Sequence, residues 1–167
     1  IRAMRRHEIE RIGLAWMSGV IDDEASLAGM TDVYDAAIEA SLQWAIQHRI
    51  NDIQIDEAPA AIAIIGMGRY GGREVNFSSD ADVIIIYRPA EGADDDQANL
   101  FARKVQEDLR AILQGPTTFE PKIELDMDLR PEGKNGPLVR SYASCEEYYR
   151  SWASTWEHQA LLRARYA

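Results

Sequence analysis

Residues 62–88 read IAIIGMGRYGGREVNFSSDADVIIIYR, and they decide the fold. An apolar run leads into a glycine-rich turn, then a polar loop, two aspartates and a second apolar run. The pattern predicts two strands joined by a loop of unusually free backbone. Glycines let backbone N–H groups come close to phosphate oxygens. Asp80 and Asp82 are two residues apart, and strand side chains alternate with a period of two, so both project from one face. Two carboxylates on one face supply hard oxygen ligands for Mg²⁺, which brings phosphates with it. The stretch therefore points to metal-dependent phosphoryl or nucleotidyl transfer.

Working outward, 61–65 is expected to be a strand buried on both faces and 83–87 a second one, ended by Pro89. Residues 51–59 form a polar connector closed by Pro59. Before it, Ile9, Ile12, Trp16 and Val20 recur at helical spacing. Arg2, Arg5, Arg6 and Arg11 on that segment read as a solvated face, with docking to an acidic partner or another domain as the alternative. Asp22, Asp23 and Glu24 mark a helix start, and Gly29 breaks the pattern. Thr31 then caps a second helix ending near His48, with Tyr34, Ala37, Ile38, Ser41, Leu42 and Ala45 on its stripe. His7 and His48 read as surface histidines. Residues 1–50 are a helical support, and 51–167 hold the core of one compact domain, a fragment of a longer chain.

After the second strand, Asp94, Asp95 and Asp96 lack the alternating spacing of a calcium loop and read as a solvated turn before a helix over 97–114. Its stripe carries Leu100, Phe101, Val105, Leu109 and Ile112. A third strand is expected over 122–129, with Ile123, Leu125, Met127 and Leu129 on one face and Glu124, Asp126 and Asp128 on the other. Three carboxylates on a dry face would repel one another, so that face is solvated or meets cations. Beside the strand of Asp80 and Asp82 it would complete a three-carboxylate site. The loop 130–137 is basic and turn-rich. Residues 142–166 read as one long helix, with Cys145, Tyr149, Trp152, Trp156 and Gln159 packed as core and Cys145 acting as a small buried hydrophobe.

Composition closes off other classes. The chain has 167 residues, 46% of them hydrophobic, and a net charge of −10, which argues against a general nucleic-acid binder. Its single cysteine permits no internal disulfide and fits a reducing cytoplasm. No apolar run is long enough for a membrane span, and no secretory signal stands at the start.

Three ordered motifs carry a family resemblance. Gly66-Met67-Gly68-Arg69-Tyr70-Gly71-Gly72-Arg73-Glu74, followed by Ser78-Ser79-Asp80-Ala81-Asp82, is similar to the signature of glutamine synthetase adenylyltransferases. Residues 125–133 (LDMDLRPEG) with 136–141 (GPLVRS), and 156–165 (WEHQALLRAR), resemble that family's further hallmarks. The resemblance runs nearly end to end. It implies an α+β class, a polymerase-β-like nucleotidyltransferase fold with a small mixed sheet and flanking helices. It implies Asp80, Asp82 and Asp126 as catalytic and metal residues holding two Mg²⁺ ions, with Asp126 helping to deprotonate the attacking hydroxyl. ATP is the implied substrate. The superfamily's glycine-plus-small-residue pair is replaced by Gly68-Arg69, with Gly71-Gly72 closer to the aspartates, so both pairs are candidates for phosphate contact. Ser79 could offer its hydroxyl to a phosphate or simply form a turn. Arg69, Arg73, Arg130 and Lys134 are candidate phosphate contacts or ordinary surface groups, and Asp128 is not counted as a ligand.

Family members have two homologous halves. One transfers AMP from ATP to a tyrosine of glutamine synthetase, releasing pyrophosphate; the other removes it by phosphorolysis, giving ADP. The motifs resemble the C-terminal, adenylylating half of actinobacterial forms, with the deadenylylating half as the alternative. A second alternative is a nucleotide- or partner-binding module inactive as an isolated piece. A small-molecule nucleotidyltransferase leaves the second and third motifs unexplained. The resemblance further implies glutamine synthetase as protein substrate, the PII signalling protein as regulator of the intact enzyme, and the remaining half of the same polypeptide as a neighbour.

Overall fold

The strand that carries Asp82 runs inside a small mixed sheet. A computed structural model of the chain describes residues 1–116 and 122–167. Strand β1 (Ala60–Gly66) pairs antiparallel with β2 (Ala81–Pro89) along its whole length, from Ala60 opposite Pro89 to Gly66 opposite Val83. The other edge of β2 takes two short parallel strands. β3 (Leu125–Asp126) lies beside its start and β4 (Val139–Ser141) beside its end. β5 (Arg165–Tyr166) adds antiparallel to the far end of β1, giving the order β3-β2-β1-β5 with β4 also on β2. β2 is apolar because it lies in the middle: Val83, Ile84, Ile85 and Tyr87 are all buried. β1 is not buried on both faces as expected. Ala61 is exposed and Ile62, Ala63 and Ile65 are half-buried.

Helices pack against the sheet and each other. α1 (Arg2–Met17) lies on α2 (Asp23–Asp52), and α2 on α4 (Asp95–Gln114), which in turn touches β1, β2 and β3. α2 is continuous, contrary to the break expected at Gly29. Asp22 is the N-cap, accepting the Ala25 N–H at 2.8 Å, and Thr31 back-bonds to the Leu27 carbonyl at 2.8 Å. A helical glycine costs about 1 kcal/mol relative to alanine, and packing offsets it here. A side chain at Gly29 would stand 3.3 Å from Ile12 Cδ1, so the glycine lets α1 approach. The expected stripe of α2 (Tyr34, Ala37, Ile38, Leu42 and Ala45) is buried in one core with β1, β2 and α4. Arg49 clamps Asp108 of α4 with two 2.6 Å bonds.

Three expectations fail for identifiable reasons. The arginines of α1 are not all solvated: Arg5 is buried, and Arg2 donates through Nε to the Ile112 carbonyl (2.9 Å) at the end of α4, where partial negative charge gathers. Outward-facing Trp16 and Val20 of the same segment are exposed, as is Leu100 on α4. The strand over 122–129 pairs only at Leu125 and Asp126, because Asp126 Oδ1 accepts the Asp128 N–H at 2.7 Å and turns the chain. Burial still alternates through Ile123, Leu125 and Met127. The long C-terminal helix is two short ones, α5 (Tyr142–Ser151) and α6 (Thr155–Leu161), followed by β5. Ser154 and Glu157 form a capping box that starts α6 anew. The break leaves Trp152 and Trp156 exposed, at 77% and 54%, so that aromatic stripe is not core, and Cys145 is half-buried.

Candidate active site

The glycine motif folds into a single helical turn, α3 (Gly68–Gly71), between β1 and the polar loop. The Met67 N–H bonds to the Asp82 carbonyl at 2.8 Å, which ties the turn to the first residues of β2. Gly68 has φ +52°, and a Cβ there would stand 2.2 Å from Asp82 Oδ2. Only glycine lets the backbone lie this close to that carboxylate. Gly71 has a different constraint. Its Cβ would collide with the Arg163 carbonyl at 2.0 Å and the Gly66 carbonyl at 2.5 Å, so it admits the C-terminal segment. Gly72 caps the turn, donating its N–H to the Gly68 carbonyl at 3.1 Å.

Asp82 is half-buried on β2, and the register sets Asp126 of β3 directly beside it on the parallel neighbour. In-register residues of adjacent strands share a face. Asp80, exposed, immediately precedes β2 and lines a cavity of about 350 Å³ together with Asp126, Glu124, Asp128 and Arg110. Burial pushes the Asp82 carboxyl above its ordinary range, and the charges of Asp80 and Asp126 push it further. The Arg69 charge and backbone N–H act in the opposite sense. The charges of Asp80 and Asp126 are thus felt at the Asp82 carboxyl.

The donor set fits Mg²⁺. It consists of hard carboxylate oxygens from two adjacent strands, with an electrostatic penalty that a divalent cation would remove. Among the described residues no group of three or more His, Cys, Asp or Glu side chains is placed to hold a metal ion. Asp126 Oδ1 is held by the Asp128 N–H instead.

The remaining candidates separate clearly. Ser79 lies in a turn: its hydroxyl accepts the Asn76 N–H (3.1 Å) and donates to Asn76 Oδ1 (3.1 Å), while its carbonyl receives the Tyr34 hydroxyl (2.8 Å). Arg69 is exposed beside Asp82. Arg73 pairs with Asp32 at 2.6 Å and Lys134 with Asp128 at 3.2 Å. Arg130 is buried, donating to the carbonyls of Gly136, Met127 and Lys134 at 2.9–3.0 Å, so it shapes its own loop, and it also lines the carboxylate cavity.

Some neighbours escaped the sequence reading. Arg110, Gln114 and Leu138 line the carboxylate cavity. On the amphipathic pattern of α4, Arg110 and Gln114 look like any solvated polar pair. Arg163 and Arg165 buttress the glycine turn from behind. Arg163 bonds Glu74 at 2.7 Å, and Arg165 holds Asp35 with two 3.0 Å bonds while lying over the Tyr70 ring. Both arginines lie in the third motif, whose wording carries no hint of that role.

A small mixed sheet flanked by helices, with a glycine turn pressed on a strand-borne carboxylate and a second acid in register beside it, defines the class: a nucleotidyltransferase-like α+β domain. Comparison with known proteins narrows it. The family model described as Glutamate-ammonia ligase adenylyltransferase matches residues 1–167, and the chain belongs to that family. It is 78% identical over 167 residues, all of this chain, to a protein of Bifidobacterium longum (strain DJO10A) named "Bifunctional glutamine synthetase adenylyltransferase/adenylyl-removing enzyme". Identically named proteins of Mycobacterium tuberculosis (strain CDC 1551 / Oshkosh) and Mycobacterium avium (strain 104) are 46% and 44% identical over 98% of the chain. The chain spans 16% of the length of these relatives. Among the described residues no helix is long and apolar enough to cross a membrane.

Proposed function

We propose that this chain is the catalytic core of a cytoplasmic adenylyltransferase, moving AMP from ATP to a tyrosine hydroxyl of glutamine synthetase and so regulating nitrogen assimilation. The observation that supports it most is the register of Asp82 beside Asp126, with Gly68 held against the Asp82 carboxylate. Residues 1–50 serve as helical support for a core over 51–167. The PII protein and the rest of a longer polypeptide are the proposed regulatory neighbours.

Asp80, Asp82 and Asp126 would hold Mg²⁺, as two ions. Bound there, Mg²⁺ supplies positive charge for the phosphate oxygens and lowers the pKa of the attacking hydroxyl. Gly68 and Arg69 face the phosphates of ATP, while Gly71 and Gly72 shape the turn and Ser79 steadies the loop before Asp80. Asp126 takes the tyrosyl proton. The tyrosine oxygen bonds to the α-phosphorus, the bond to the bridging oxygen breaks, and pyrophosphate leaves in line. Free tyrosine, with a pKa of about 10, is a poor nucleophile near neutrality, which is why a base and a cation are needed together.

The test is transfer of label from α-³²P-ATP to glutamine synthetase in Mg²⁺, comparing wild type with Asp80→Asn and Asp126→Asn. Wild type should label the acceptor, and each variant should lose about 10²–10³-fold or more. Release of ADP from AMP-modified glutamine synthetase and phosphate, with no forward labelling, would assign the adenylyl-removing direction instead. Equal labelling by all three proteins would remove these carboxylates from the mechanism.

A further inference from the structure

The carboxylate cavity does not end at Asp126. Arg110 of α4 and Leu138, just before β4, line both it and a larger cavity of about 550 Å³ that continues along α4. The larger space falls within the size range of ligand sites. Its further walls include Arg103, Gln106 and Val139. Gln106 is 4% exposed, and among the described residues its side-chain Nε2 is buried without a hydrogen-bond partner. Buried polar groups are nearly always paired, and Gln106, which lines this cavity, carries a buried amide donor with no partner among the described residues. Arg110 holds Gln114 through Nε (2.9 Å) and sits at the junction of the two cavities. Glu107, on the same wall, is engaged by Lys104 at 2.8 Å. In a chain of net charge −10, two guanidinium groups and a free amide donor thus converge on one groove.

Strand order indicates what approaches from there. β1 and the glycine turn reach Asp82 from one side, and β3 with Asp126 flanks it from the other. In-line displacement sets the entering and leaving oxygens on opposite sides of phosphorus. With the phosphates on the Gly68 side, the entering oxygen comes from the Asp126 side, where the groove begins. We propose that the groove running from Arg110 to Gln106 and Arg103 binds the polypeptide segment that carries the acceptor tyrosine. This rests on the adenylyl-transfer reading above. The segment offers main-chain carbonyl or carboxylate oxygens to Gln106 Nε2 and the two arginines, and lays an apolar side chain on Leu138.

The experiment uses the full-length polypeptide and measures KM for glutamine synthetase and for ATP separately, or for modified glutamine synthetase and phosphate if the reverse direction runs. The variants are Gln106→Leu and Arg103→Ala. Gln106→Leu removes an unpaired buried amide, so its melting temperature should equal or exceed that of wild type. Each variant should raise KM for the protein substrate about tenfold, the loss of one charge-assisted or buried hydrogen bond, while KM for the small substrate moves less than about twofold. If Gln106→Leu does not fold, Gln106 is structural and that part of the proposal falls; the Arg103→Ala ratio then decides for the groove. Protein-substrate KM within about twofold of wild type, against an active wild-type enzyme, overturns the groove alone. A parallel rise in KM for ATP overturns it in favour of a nucleotide subsite. A wild type inactive in both directions overturns the adenylyl-transfer reading and the groove with it.

Discussion

Gly68→Ala separates the demands of backbone from those of the site. Gly68 has φ +52°, a conformation that costs an L-residue about 1–2 kcal/mol. The new Cβ would also start 2.2 Å from Asp82 Oδ2 and 2.9 Å from its Cγ. The Asp82 carboxylate must therefore rotate or the turn must lift away from β2, and an off-rotamer side chain adds roughly 0.5–1.5 kcal/mol. The two contributions predict a loss of roughly 1.5–3.5 kcal/mol. For a chain of this size that is a fall in melting temperature of about 3–14 °C. Activity should fall much further, because a displacement of about 1 Å at a positioned catalytic group can cost 10²-fold. Gly92→Ala is the matched control. It has φ +76° but nothing within 4 Å of its Cβ, so it carries the backbone cost alone and should leave turnover per folded molecule intact. Thermal unfolding of both variants, followed by kcat for adenylyl transfer at a temperature where both are folded, makes the comparison. Turnover of Gly68→Ala equal to that of Gly92→Ala would refute the claim that Gly68 is needed for the geometry of Asp82.

Two further perturbations test the surroundings. Arg130→Met deprives the carbonyls of Gly136, Met127 and Lys134 of their donor, and should cost about 3 kcal/mol or more in urea unfolding. Arg130→Lys should recover little, since an ammonium cannot span three carbonyls as a planar fork does; a loss under about 1 kcal/mol would show that the loop holds itself. Burial pushes the Cys145 thiol up, with the Arg140 charge opposing, and pushes Tyr149 from 10.0 up to about 12. Both groups hold their protons more tightly folded than unfolded, so their stabilisation is complete below the unfolded values and is lost as pH rises through the folded ones. Iodoacetamide should alkylate Cys145 more slowly at pH 8 than it does the urea-unfolded chain, and stability should decline between pH 10.0 and about 12. Equal alkylation rates would mean the thiol is not shielded.

The sequence by itself determined the elements whose signals are local. A short hydrophobic run, rich in isoleucine and bounded by glycine or proline, favours a strand, so β1 and β2 were legible, and so was the placement of Asp80 and Asp82 at one end of β2. The helical stripe through Tyr34, Ile38 and Leu42 and the amphipathic α4 were legible for the same reason. Ordered motifs also led to the family. What failed depended on contacts that only the folded chain makes, some between distant segments and some within a single loop or helix start. Gly29 ends no helix because Ile12 of α1 needs the space above it. The aromatic residues Trp152 and Trp156 have helical spacing, yet the Ser154–Glu157 box restarts the helix and turns them outward. Arg130 lines the carboxylate cavity, but the carbonyls of its own loop that it also satisfies become visible only once that loop is closed. The separate steric roles of the glycines were likewise undecidable from spacing. Gly68 and Gly71 are both glycines for steric reasons, one against Asp82 and the other against the Arg163 backbone more than ninety residues away. Local periodicity reports what a segment prefers. The close approach of one segment to another is a property of the packed chain, and only the tertiary structure decided it.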